Sequence, residues 1–164
     1  MIGVGKVNKE FLNEAIVESR VNEINNYQDG GPFGAVVVKK EKIIAKGHNT
    51  VVGTKDPTAH AEVNAIRNAA KILNTNDLSG CELYVNAQPC PMCLSAIIWA
   101  NIKHVYYANT AKEAGEIGFR DDMIYEFIKN DNSNKEILDI NHVPSIEAKK
   151  VFENFKNNDK KIMY

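Results

Sequence analysis

Two short stretches of this chain carry the residue types that metal chemistry needs. Pro89-Cys90-Pro91-Met92-Cys93 offers two thiols three positions apart, and Thr58-Ala59-His60-Ala61-Glu62 offers an imidazole with a carboxylate two positions on. Three nitrogen or sulfur ligands and one unliganded acid suit a catalytic zinc site, whereas structural sites more often close with four protein ligands. If a helix begins at Cys90, with Pro91 at its first position, one turn brings both sulfurs to the same side. Thiolates at a helix N-terminus have depressed pKa values. His60, at the head of a second helix, supplies a third ligand if the two helices meet. Glu62 does not share a helix face with His60, so its carboxylate should reach past the metal rather than bind beside the imidazole. There it would meet the water in the fourth position, whose pKa zinc lowers, and could take and return its proton. Two plainer readings stay open: a closed zinc knuckle with a fourth protein ligand, and a redox pair of cysteines with His60 incidental.

The elements that must position these groups follow from periodicity. Asn8 caps a helix bearing Phe11, Leu12, Ala15, Ile16, Val21 and Ile24, and Gln28-Asp29-Gly30-Gly31-Pro32 stops it. Phe33 to Val38 and Ile43 to Lys46 read as a hairpin, although its turn, Lys39-Lys40-Glu41-Lys42, lacks the Gly or Asn that would name its type. Pro57 and Thr58 start a helix from about Ala59 to Leu73. Cys81, Leu83 and Val85 alternate with polar residues as a strand. The helix opening at Cys90 is almost wholly apolar from Met92 to Trp99, which predicts burial between layers. His104 to Ala108 is a strand, Ala111 to Glu116 a short helix, and Met123 to Lys129 another. Asn130 to Asn134 is a polar loop and the best candidate boundary. Glu136 to Val143 reads as a further strand, and Pro144-Ser145 opens a helix with Ala148, Val151, Phe152 and Phe155. Strands alternating with helices predict an α/β chain, a three-layer α/β/α sandwich with a mixed sheet.

Composition narrows the class. The 164 residues suffice for one domain, and 44% hydrophobic with 25% charged residues supports a full core. A formal net charge of -1 gives no global electrostatic case for nucleic acid as the main partner. Three cysteines, two of them in one Cys-x-x-Cys, argue against a disulfide framework and for a reducing compartment. The N-terminal residues lack the apolar core of a signal peptide, and no run reaches the length of a membrane span. The expectation is a cytoplasmic protein without a membrane partner.

The pattern His-x-Glu followed by Pro-Cys-x-x-Cys resembles that of the zinc deaminases. The chain is similar to the cytidine-deaminase-like superfamily, and within it to the bacterial guanine deaminases. Gly30-Gly31-Pro32-Phe33-Gly34-Ala35-Val36, Asp56 to Val63, Pro89 to Cys93, Ala96 to Ala100, Gly118-Phe119, Asp121, Ile124-Tyr125 and Tyr164 carry the resemblance. It implies a five-stranded sheet, one zinc per subunit, and a single deaminase domain over 1–164. It further implies a homodimer in which the segment 130–164 is exchanged between subunits. His60, Cys90 and Cys93 would be the ligands and Glu62 the proton shuttle. Asn49 would be the base-binding amide, Phe33 and Trp99 would pack near a purine ring, and Asp121 and Tyr164 would complete the pocket. The implied substrate is a purine base, with guanine giving xanthine and ammonia. Alternatives are another nucleobase, tRNA adenosine, or a zinc-stabilised binding module without turnover. Gln88 and Arg120 depart from the pattern: many relatives carry Glu at the first position and close relatives often a second acid at the other.

Outside those positions plainer readings serve. Cys81 suits a small buried hydrophobe. His48, His104 and His142 have no ligand spacing with the cysteines. Lys149, Lys150, Lys156, Lys160 and Lys161 read as a solvated helix face and tail.

Overall fold

The computed structural model describes residues 7–163. They form two compact units that divide after Ile124, with the boundary inside one helix. The first unit is built on a four-stranded sheet of β1 (Gly34–Lys39), β2 (Lys42–His48), β3 (Cys81–Ala87) and β4 (His104–Asn109), ordered β2-β1-β3-β4. β1 runs antiparallel to both β2 and β3, and β3 parallel to β4, so the sheet is mixed.

Period-two alternation assigns the two faces of this sheet. Val36 and Val38 of β1 and Tyr84 of β3 pack with Ala15, Phe11 and Leu12 of α1 (Lys9–Ser19). Ala35, Val37, Leu83 and Val85 point the other way, onto Ala61, Ala65 and Ala69 of α4 (Ala61–Leu73) and Ile97 of α5 (Pro91–Trp99). Helices on both faces make the three layers. Between α1 and α4 lie two single turns, α2 (Val21–Ile24) and α3 (Val51–Thr54). Gly47 allows β2 to approach α4, because a Cβ there would run into the backbone of Ala61 and Ala65.

Local chemistry explains most boundaries. The Asn8 side chain accepts from the Glu10 amide to start α1. Thr110 and Glu113 form a reciprocal capping box on α6 (Ala111–Glu116), and Ser145 accepts from the Ala148 amide to open α8 (Ile146–Lys156). The hairpin turn is of the primed kind: Lys40 and Glu41 both take positive φ, 49° and 59°, without Asn or Gly. The turn type was not legible because tertiary pairing, Lys39 against Lys42, imposes it.

Five expectations are corrected. The sheet has four strands among the described residues, not five. The segment 136–143 forms no ladder. Its apolar residues, Ile137, Leu138, Ile140 and Val143, do not keep to one face of a strand. An Asn134 turn, accepting from the amides of Glu136, Ile137 and Leu138, bends the backbone at its start. The α5 helix is not buried all round. Pro91, Cys93 and Ile97 are inside, but Ile98 and Trp99 are 72% and 68% exposed, because a helix lying on a sheet buries one side. The first helix ends at Ser19, and α7 (Asp121–Lys129) begins two residues earlier than Met123.

The second unit contains the end of α7 and α8. Along α8, Val151, Phe152 and Phe155 are exposed on one face.

Candidate active site

The N-terminal end of β1 and the C-terminal ends of β2 and β3 meet at one edge of the sheet, as the pairings Gly34 to His48 and Ala35 to Val85 require. The chain leaving β3 reaches Cys90, which caps α5 in extended conformation with Pro91 next. His60 caps α4 in the same way, at φ −68° and ψ 158°. Two helix N-termini therefore open on one point. The Nδ1 atom of His60 lies 3.6 Å from Cys90 Sγ and 3.6 Å from Cys93 Sγ, and all three ligand atoms fall within 4.8 Å of one another. A tetrahedral zinc with about 2.3 Å to sulfur and about 2.05 Å to nitrogen would hold sulfur and nitrogen about 3.6 Å apart. The donor set and spacing fit zinc. Among the described residues this cluster has three members, with no fourth protein donor.

The charge balance asks for a cation. The Cys90 thiol is brought down to about 4, first by a hydrogen bond with Cys93 and further by His60, against the opposing effect of burial. Cys93 is driven up by that same bond and by its burial. His60 is raised, chiefly by its bond to Cys90. Two buried sulfurs sharing a proton give one thiolate readily, and the second only against positive charge. Glu62, 7% exposed in the first turn of α4, is pushed up to about 7 by burial and then by Cys90. Asp121 is raised by the same two causes.

A cavity of about 550 Å³ opens over this cluster, with His60, Glu62 and Cys90 in its lining. The Gly30–Gly34 loop forms one wall and Ile117, Phe119 and Asp121 another. Phe33 and Phe119 meet edge to face at 4.6 Å. Asn49 also lines the cavity. It is 4% exposed, and its Oδ1 accepts from the Val51 amide at 3.2 Å, which leaves its Nδ2 donors for the cavity. Gly30 makes room for it, since a Cβ there would strike Asn49 Oδ1. Of the residues expected here, His60, Glu62, Cys90, Asn49, Phe33 and Asp121 line the cavity, and Cys93 joins the cluster behind it. Trp99 is not brought to this lining, and Tyr164 lies outside the described residues.

Residues that spacing did not reveal support these walls. Asn86 donates from Nδ2 to the Pro32 carbonyl at 2.8 Å and accepts from the Gly34 amide at 2.9 Å. Asn22 donates to the carbonyls of Gly31 at 2.8 Å and Asn49 at 2.7 Å. Gln88 lines the cavity and accepts from the Ala111 amide at 3.2 Å, so this departure from the family's Glu keeps an acceptor for the start of α6. The signal for Asn22 was present: an amide continuing the stripe Leu12, Ala15 and Ser19. The signal for Asn86 was an amide in an otherwise buried strand.

Known proteins match this arrangement. The model of the cytidine and deoxycytidylate deaminase zinc-binding region matches residues 6–109. Guanine deaminase of Bacillus subtilis is 56% identical over 99 residues, covering 60% of this chain and 64% of that one. A tRNA-specific adenosine deaminase of Aquifex aeolicus is 48% identical over 86 residues, covering 52% and 57%. The aligned stretches thus span less than two thirds of each relative's own length. The crystal structure of guanine deaminase from Bacillus subtilis superposes with a TM-score of 0.89 at 41% identity, covering 97% of this chain and 99% of that one. With the His60, Cys90 and Cys93 cluster at the heads of α4 and α5, the chain belongs to the cytidine and deoxycytidylate deaminase zinc-binding family.

Proposed function

We propose that this protein is a zinc-dependent aminohydrolase that converts guanine and water to xanthine and ammonia. The observation that carries the reading is the buried Glu62 carboxyl beside a three-ligand cluster on the lining of a base-sized cavity. The near end-to-end likeness to a guanine deaminase supports the choice of base. His60, Cys90 and Cys93 would hold the zinc, which when bound would supply a Lewis acid that lowers the pKa of the attacking water. Glu62 takes a proton from water as its oxygen adds to the ring carbon bearing the amine. Glu62 passes that proton to the adjacent ring nitrogen, then carries the second to the amine as the carbon–nitrogen bond breaks. Phe33 packs against the ring, Asn49 donates to an acceptor on its edge, and Asp121 accepts from its N–H groups.

The partner expectations enter the same proposal. The exposed apolar residues of α5 and of α8 support a homodimer in which residues 130–164 are exchanged, with Tyr164 completing a neighbouring pocket. No described helix is long and apolar enough to cross a membrane. Buried free thiols and a thiolate metal site favour the cytoplasm. The purified protein should release ammonia from guanine. Inactivity on guanine with turnover of another amine overturns the base assignment. The likeness to a tRNA-specific adenosine deaminase favours a second reading, in which deamination of an RNA adenosine falls steeply with salt. Deleting the last residues through Tyr164 should cripple turnover with zinc retained, and full activity after that deletion overturns the role of the tail in the pocket.

A further inference from the structure

Asn22 has no place in the chemistry above, yet it is fully buried at 0% exposure between two walls of the cavity. Both of its amide hydrogens are used. One bonds the Gly31 carbonyl at 2.8 Å, the other the Asn49 carbonyl at 2.7 Å. These two acceptors fix the orientation of the amide, and they leave its Oδ1 buried without a hydrogen-bond partner among the described residues. A buried orphan acceptor is costly, and its retention calls for a physical reason. The reason on hand is geometric. The residue ties a loop to an active-site amide twenty-seven positions away. The backbone of Asn49 is further stitched to that loop through its amide, which donates to the Phe33 carbonyl at 3.1 Å. Gly30, in the same loop, is in close contact with the Asn49 side chain. Any drift of Asn49 relative to the Gly30–Gly34 loop would change the width of the slot between its Nδ2 and Phe33.

We propose that Asn22 is a positioning residue that sets Asn49 against the Gly31–Phe33 wall and so fixes the pose of the ring over Glu62. The inference rests on the reading of Asn49 as the amide that holds the base. Asn22 touches no reacting atom and acts only through its two carbonyl partners. The residue that could not substitute is one of equal shape without donors, because oxygen would then face two carbonyl oxygens at hydrogen-bond distance.

The test is a double-mutant cycle on the zinc-loaded protein, with guanine as substrate and zinc content and thermal unfolding recorded for each variant. Asn22→Ala should lower kcat/KM by about 10- to 100-fold, the scale expected for a misplacement near 1 Å, with zinc per chain unchanged. In an Asn49→Ala background the same change should cost almost nothing, because the group being positioned is gone. A merely structural role lowers both backgrounds equally, so multiplicative losses overturn the inference. So does Asn22→Ala with wild-type turnover. If Asn22→Ala does not accumulate folded, Asn22→Asp keeps the volume and removes the amide donors, and the same cycle decides. A full-activity Asn49→Ala variant sinks the Asn49 reading itself, and this inference with it. That result differs from the case where Asn49→Ala is impaired but additive with Asn22→Ala, which sinks this inference alone.

Discussion

Glu62→Gln should separate what this carboxyl costs the fold from what it gives the reaction. In the metal-free protein burial raises its pKa from 4.5 to about 7. The sign follows from linkage. Below about 4.5 the native and unfolded states both carry the proton, and the group is neutral in its effect. Between about 4.5 and 7 the unfolded chain loses the proton while the native chain keeps it, so stability falls with rising pH. Above 7 both states are ionised and the loss levels off. A difference of about 2.5 pKa units at about 1.36 kcal/mol each gives about 3 kcal/mol. The side chain is 7% exposed, so solvent screens little of this. Urea unfolding of metal-stripped wild type and E62Q should therefore show equal changes on substitution near pH 4.5. By pH 8 the variant should be favoured by about 3 kcal/mol relative to that baseline. The zinc-loaded variant should keep its metal and lose about 10²- to 10⁴-fold in kcat, the range for a removed general acid–base group. A stability difference that does not change with pH would refute the burial argument. Turnover near wild type would refute the assignment of Glu62 as proton carrier.

Two further perturbations test other levels of the structure. Cys93→Ser should drop zinc stoichiometry toward zero by elemental analysis, since it takes one of three ligands from a site with no fourth among the described residues. Replacing Lys40-Glu41 by Asn-Gly should raise the unfolding free energy by about 1 kcal/mol, because both positions hold positive φ. No gain in urea midpoint would count against a primed turn there.

The metal cluster was legible because its information is local. A proline-marked helix start puts Cys90 and Cys93 on one turn, and His60 heads its own helix, so spacing offered these donors while leaving a closed knuckle and a redox pair open. Helix and strand order over residues 8–129 was legible for the same reason, since alternation and caps act over a few residues. What spacing could not state was which long-range contacts exist. The segment 136–143 has β-forming residues, but a strand requires a partner, and it makes no ladder. The apolar run of α5 could not reveal that only one side meets the sheet, leaving Ile98 and Trp99 outside. The positions of Asn22 and Asn86 hinted at burial, but only the fold brought them to carbonyls 9 to 54 positions away. The chain by itself determined the donor types and their local spacing, which depend on short-range geometry. Tertiary structure alone decided that His60 and the two sulfurs sit 3.6 Å apart beneath a cavity, because that distance is set by how two helices pack on one sheet.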